Sequence, residues 1–202
     1  MPGFSTQRLL GPAVLTGWLA TTAWLCRTLR QLHQARRDDL TGLLTRAAWY
    51  SRARRRLGPT AALGLLDVDG LKPVNDRHGH AAGDEVLRTI AARLTTALGS
   101  GALLGRLGGD ELVFLMDTTP SQRHLDVLVA ELTRPIRLAD QDTTVRVGIA
   151  LGVAPAARRS EQHRACGLSA ALRTADTAMY RAKKHPERTW LWATEAASPR
   201  SS

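Results

Sequence analysis

Cysteine is nearly missing from this 202-residue chain, which holds only Cys26 and Cys166. Two cysteines make no disulfide framework, and a reducing compartment is the simpler inference. Lysine is almost as scarce, at Lys72, Lys183 and Lys184, and Asn75 is the lone asparagine. The net charge of +10 is therefore nearly all arginine. Such a balance suits anionic partners such as nucleotides, nucleic acid or a membrane surface, and does not choose among them. There is no internal repeat and no nucleic-acid recognition motif, so no nucleic-acid partner is expected. His163 and Cys166 stand close together in sequence but lack a partner pair, so zinc is not expected. What the chain does have is 44% hydrophobic residues. That excludes a disordered chain and leaves room for one domain with a core and a short extension.

Residues 9–26 carry no charge. At helical rise they span about 27 Å, just enough for a bilayer core. Arg27, Arg30, Arg36 and Arg37 follow. Positive charge heavier behind than in front disfavours a cleaved signal peptide, although a buried helix is an alternative. The expectation is a single-pass anchor in the cell membrane, with everything after it on the cytoplasmic side. Residues 1–37 then form the anchor and a connecting helix, 38–192 a folded domain, and 193–202 a disordered tail.

Within the domain, the sequence predicts helices over residues 47–57, 72–77, 84–98 and 168–184, with another around Leu125, Leu128, Val129 and Leu132. The run AALGLLDV at 61–68 reads as a buried central strand, with Asp67 at its end and Asp69 just past it. Val145, Val147, Ile149, Leu151 and Val153 alternate as a strand does, and Trp190 to Trp192 reads as an edge strand. Residues 103–116 read as a β-hairpin whose tip is Gly108-Gly109-Asp110-Glu111. This order of elements predicts an α+β sheet with helices on its faces.

The chemistry collects at two places. A carboxylate at the end of a core strand is costly unless it is paired or bound to a metal. If the strand ending in Asp67 neighbours the hairpin carrying Asp110, the two carboxylates can hold one or two Mg²⁺ ions beside a triphosphate. Lys72 can reach phosphates from there, and Asn75 and Asp84 flank the same mouth. A carboxylate accepts both N1–H and N2–H of guanine, a pair that adenine cannot offer. Bland readings stand beside these: Asp84 as a helix N-cap, Lys183 as a charge complementing a helix dipole, His80 ordering a loop, and Asp69 making local hydrogen bonds.

Four segments in order, DDLTGLLTR (38–46), DVDGLKPVNDRHGHAAGDEVL (67–87), RLGGDEL (106–112) and ADTAMYRAK (175–183), resemble the GGDEF family of diguanylate cyclases. The resemblance implies a palm-like, mixed and mostly antiparallel central sheet flanked by helices. It implies a homodimer in which two GTP molecules face each other and condense into cyclic di-GMP, releasing pyrophosphate, with Mg²⁺ or Mn²⁺ as cofactor. By the same resemblance Asp67 and Asp110 are metal ligands, and Val68 adds its backbone carbonyl. Asp110 and Glu111 are the catalytic pair, Glu111 standing near the attacking hydroxyl. Gly108 and Gly109 let the backbone pass close to the nucleotide, Asn75 and Asp84 read guanine, and Lys72 and Lys183 hold phosphates. The other reading is a catalytically silent GGDEF domain that binds GTP or a partner protein.

The chain departs from the family's pattern in places. Leu112 replaces the usual Phe, a change of core packing. Thr45 replaces an Asn in a structural loop. The segment after Lys183 is Lys184-His185-Pro186-Glu187-Arg188 where Gly-Arg-Asn is usual, which leaves a phosphate-contacting arginine misplaced or supplied by Arg188. The family's inhibitory product site needs Arg-x-x-Asp where this chain has Gly99-Ser100-Gly101-Ala102, so product inhibition through that site is not expected.

Overall fold

The computed structural model describes residues 36–139, 142–156, 164–185 and 189–193, together with Trp18, Thr21, Thr22 and Trp24. The apolar run forms strand β2 (Ala62–Asp69), buried at every position up to Val68. A strand covered on both faces belongs in the middle of a sheet. β2 indeed pairs antiparallel on one side with β4 (Glu111–Met116) and on the other with β7 (Gly148–Pro155). β3 (Leu103–Gly108) lies antiparallel beyond β4. The edges are β1 (Leu44–Thr45), parallel to β3, and β8 (Trp190–Trp192), parallel to β7. The result is a mixed, mostly antiparallel six-stranded sheet in the order β1-β3-β4-β2-β7-β8. β5 (Ile136–Leu138) and β6 (Thr143–Val145) form a separate two-stranded sheet.

Strand alternation sends side chains to two cores. On one face Leu66, Val68, Leu112 and Phe114 pack with α2 (Leu71–His78), α3 (His80–Leu98) and α4 (Gln122–Leu132), through Val74, Val86, Ile90, Leu94 and Leu128. Leu112 is fully buried there, as expected of a residue standing in for phenylalanine. On the other face Leu63, Leu65, Val113 and Leu115 pack with α1 (Arg46–Arg56) and α5 (Arg164–Lys184), through Trp49, Ala53, Leu172, Ala175 and Met179. Gly152 lets α5 sit directly on the sheet. A Cβ there would fall 2.0 Å from the Ala175 carbonyl oxygen and 2.3 Å from the Met179 nitrogen, both backbone atoms. This close seat delivers the last turn of α5 to the end of β2.

Three expectations change. The single-pass membrane anchor over residues 9–26 is not upheld: among the described residues no helix is long and apolar enough to cross a membrane. The uncharged stretch is diluted by Gly11, Pro12, Thr16, Gly17, Thr21 and Thr22. Of it only Trp18, Thr21, Thr22 and Trp24 are described, all exposed. The rest of that stretch, the connecting segment at 27–35, His163, Arg188 and residues 194–202 of the expected tail lie outside the described residues, whereas Ala193, the first residue of that expected tail, is buried in the core. Second, α3 begins at His80 with Gly79 as its cap residue, so Asp84 is inside the helix rather than its N-cap. Third, the alternating run from Val145 to Val153 is split between β6 and β7, in different sheets.

Candidate active site

The end of β2 and the β3–β4 turn meet at one end of the central strands. Asp67 is the register partner of Glu111, and the Val68 N–H donates to the Asp110 carbonyl at 3.3 Å. The Val68 side chain is sealed in the core, so only its backbone can serve the site. Gly108 and Gly109 sit at φ 145° and 51°, conformations that favour glycine. Open space lies where their Cβ atoms would be, so a ligand can approach the backbone of the turn.

Arg106 and Asp38 brace that turn, a role the sequence reading did not assign them. Arg106 Nε and Nη2 donate to the Gly109 carbonyl at 3.0 and 2.7 Å. Its Nη1 donates to both carboxylate oxygens of Asp38, at 3.0 and 3.2 Å. Asp38 also accepts from the Thr41 N–H at 2.9 Å and the Thr41 hydroxyl at 2.6 Å. Burial alone would raise the Asp38 pKa, but the Thr41 bonds and the Arg106 guanidinium outweigh it and hold the carboxyl below its ordinary value. The local signal was an arginine two residues before the paired glycines, on a strand whose neighbours are apolar.

On the α5 face stands an acidic cluster. Asp67 is 8% exposed, the only buried charged residue among those described. Lys183 Nζ lies 2.6 Å from Asp67 Oδ2 and 3.1 Å from Asp69 Oδ1. The hydrogen bond to Asp67 raises the Lys183 pKa, against burial and with help from Asp69. Burial, then the charges of Asp67, Asp110 and Asp176, push the Glu111 carboxyl above its ordinary value, with Arg46 opposing. Asp69 thus binds a lysine from a distant helix rather than making local bonds.

Beyond the turn, on the α2–α3 side, opens a pocket of about 260 Å³ whose walls include Asn75, His80, Gly83, Asp84, Gly109 and Asp110. The Asn75 Oδ1 atom is buried with no hydrogen-bond partner, a costly state in a folded protein. Gly83 makes room for it, since a Cβ there would fall 1.9 Å from that oxygen. Asp84 is half-buried, with Arg88 Nη2 3.9 Å away. Of the residues expected at a site, Asn75, Asp84, Gly109 and Asp110 line this pocket, and Asp67, Glu111 and Lys183 form the cluster beside it. Lys72 is exposed on the first turn of α2 and does not line the pocket.

Among the described residues no three His, Cys, Asp or Glu side chains form a ready-made metal cage. The donor set still fits a divalent ion of the Mg²⁺ kind, which commonly takes one or two carboxylates and draws its other ligands from water and substrate phosphates. The neighbouring carboxylate charges that help push the Glu111 carboxyl upward are what such a cation relieves.

Comparison with known proteins places this geometry in a family. The profile described as "Diguanylate cyclase, GGDEF domain" matches residues 35–189. A Streptomyces ambofaciens protein described as an uncharacterized 19.3 kDa protein is 39% identical over 176 residues, covering 86% of this chain and 91% of that one. Diguanylate cyclase TpbB of Pseudomonas aeruginosa is 38% identical over 162 residues, covering 75% of this chain and 36% of TpbB. The chain thus matches about a third of that relative's length. The crystallised GGDEF domain of TpbB aligns with TM-score 0.61 at 37% identity, covering 73% of this chain and 88% of that one. The coiled coil and GGDEF domain of DgcB from Caulobacter crescentus, in complex with c-di-GMP, aligns with TM-score 0.75 over 89% of this chain and 96% of that one. At 24% identity the DgcB likeness speaks for the fold alone. With a family match across most of its described length, this chain belongs to the GGDEF domain family of diguanylate cyclases.

Proposed function

We propose that this domain condenses two GTP molecules into cyclic di-GMP and releases pyrophosphate, working as a homodimer with Mg²⁺ or Mn²⁺. The observation that carries the reading is the register pairing of Asp67 with Glu111 beside a turn whose other side, through Asp110, walls a pocket with Asn75 and Asp84. Asp67, Asp110 and the Val68 carbonyl would hold the divalent ion. Bound there, it would offset triphosphate charge and acidify the attacking 3′-hydroxyl. Asn75 and Asp84 hydrogen-bond the guanine edge, and a base lacking those donors leaves them unpaired. Gly108 and Gly109 admit the nucleotide against the backbone. Lys72 and Lys183 approach the phosphates as point charges. Glu111, with its carboxyl held above the ordinary range, is a stronger proton acceptor than a free glutamate.

In this reading each domain holds one GTP, so the attacking hydroxyl comes from GTP held by a second copy. A domain that binds GTP without turnover is the second reading, favoured by the departure at Lys184-His185-Pro186-Glu187-Arg188. Purified protein supplied with GTP and Mg²⁺ separates the two. Pyrophosphate and cyclic di-GMP should form together, and Asp110→Ala should abolish both without altering the circular dichroism. A wild-type protein that binds GTP and releases neither product contradicts the cyclase reading.

A further inference from the structure

Lys183 holds a position that an ordinary surface lysine does not. Its ammonium bridges Asp67 and Asp69 at 2.6 and 3.1 Å, two residues on one face of β2 and both more than a hundred positions away in sequence. The Asp67 side chain is only 12% exposed, whereas that of Lys183 is 47% exposed. The group withdrawn from water is therefore the carboxylate, and the lysine is its counter-charge. The neighbouring Lys184 turns instead onto the Tyr180 ring, 4.2 Å from its centroid. The close seat of α5 at Gly152 carries Lys183 to this spot.

We propose that Lys183 is a resident counter-cation: it holds the divalent-ion position beside Asp67 until the ion enters and must then move aside. Once displaced, the ammonium is free to meet the phosphates that accompany the ion. Metal alone then competes with a tethered lysine, while metal with nucleotide gives that lysine a new partner. The two ligands favour each other's binding, and linkage makes the effect reciprocal. The inference rests on the metal-site reading proposed above for Asp67.

Titrating the full chain with Mn²⁺ alone, with free ion followed by electron paramagnetic resonance, tests it without any turnover. Lys183→Gln should bind Mn²⁺ about three- to tenfold tighter than wild type, the scale of losing one part-exposed ionic competitor. It should bind a non-hydrolysable GTP analogue more weakly in the presence of Mn²⁺. Lys183→Arg keeps a cation and should stay within about twofold of wild type for Mn²⁺ alone. Circular dichroism reports whether each variant is folded. Asp67→Asn should lose Mn²⁺ affinity. If Lys183→Gln binds Mn²⁺ no tighter while Asp67→Asn binds it more weakly, the counter-cation is refuted and the metal site stands. If Lys183→Arg gains affinity as Lys183→Gln does, charge is not the cause and the proposal also falls. If Asp67→Asn binds as wild type does, the metal-site reading itself fails.

Discussion

Replacing Arg106 with methionine should loosen the turn that carries Gly109 and Asp110 while leaving both in the chain. The change deletes two hydrogen bonds to the Gly109 carbonyl and the paired contact with Asp38. The Arg106 and Asp38 side chains are 15% and 24% exposed. Their pair thus lies between an exposed ion pair, worth up to about 1 kcal/mol, and a broken buried one, costing about 3–5 kcal/mol. A loss of about 2 kcal/mol is expected, a fall in Tm of roughly 4–8 °C for a domain of this size. Asp38→Asn, which keeps one oxygen for Thr41, serves as the other arm of a double-mutant cycle, with coupling of about 1–2 kcal/mol. The pH dependence has a definite sign. The folded Asp38 pKa is lowered from 3.8, so its stabilisation is full above the unfolded value and disappears as pH falls through the folded one. The gap between wild type and Arg106→Met should therefore be widest near neutrality and narrow in acid to the share carried by the Gly109 bonds. Turnover should fall as well, because the turn is no longer tethered. Coupling below about 0.5 kcal/mol, or a gap that stays constant into acid, would refute the brace.

Glu111→Gln should raise Tm near pH 7 while lowering turnover at least about tenfold. A carboxyl whose folded pKa is raised from 4.5 loses stability as pH climbs from its unfolded to its folded value, and the amide escapes that loss. A lower Tm by calorimetry would contradict this. Gly152→Ala forces a Cβ into the α5 backbone and should cost about 1–3 kcal/mol in urea unfolding. Gly83→Ala should displace the Asn75 amide and raise the KM for GTP about tenfold with a smaller change in kcat. A variant with unchanged KM would remove Asn75 from base recognition.

Local chemistry carried much of the architecture. Residues 61–68 had to be a central strand because no face of so apolar a run can meet water, and paired glycines before two acids marked the hairpin tip. Other features had no local signal. β1 is two residues long and joins the sheet through β3, too short for any pattern. Alternation from Val145 to Val153 reports which way side chains face, not which strand they pair with, so the break at Arg146–Val147 left no trace. Glycines at 79 and 83 read as loop, yet Gly83 is helical and is needed because Asn75 leans on it. The Lys183 contact with Asp67 joins residues 116 apart, and only the seating of α5 creates it. At the site, the residue types announced nucleotide chemistry, while Arg106 and Asp38 were hidden because they act through the turn they hold.

The central claim is that Asp67 and Asp110 share a divalent ion with a guanosine triphosphate. Crystals grown with Mn²⁺ and a non-hydrolysable GTP analogue test it through the anomalous signal of the metal. The account predicts a manganese peak in contact with both carboxylates and the phosphates, with guanine against Asn75 and Asp84. A peak bound by the phosphates alone, or by Asp67 without Asp110, would contradict it.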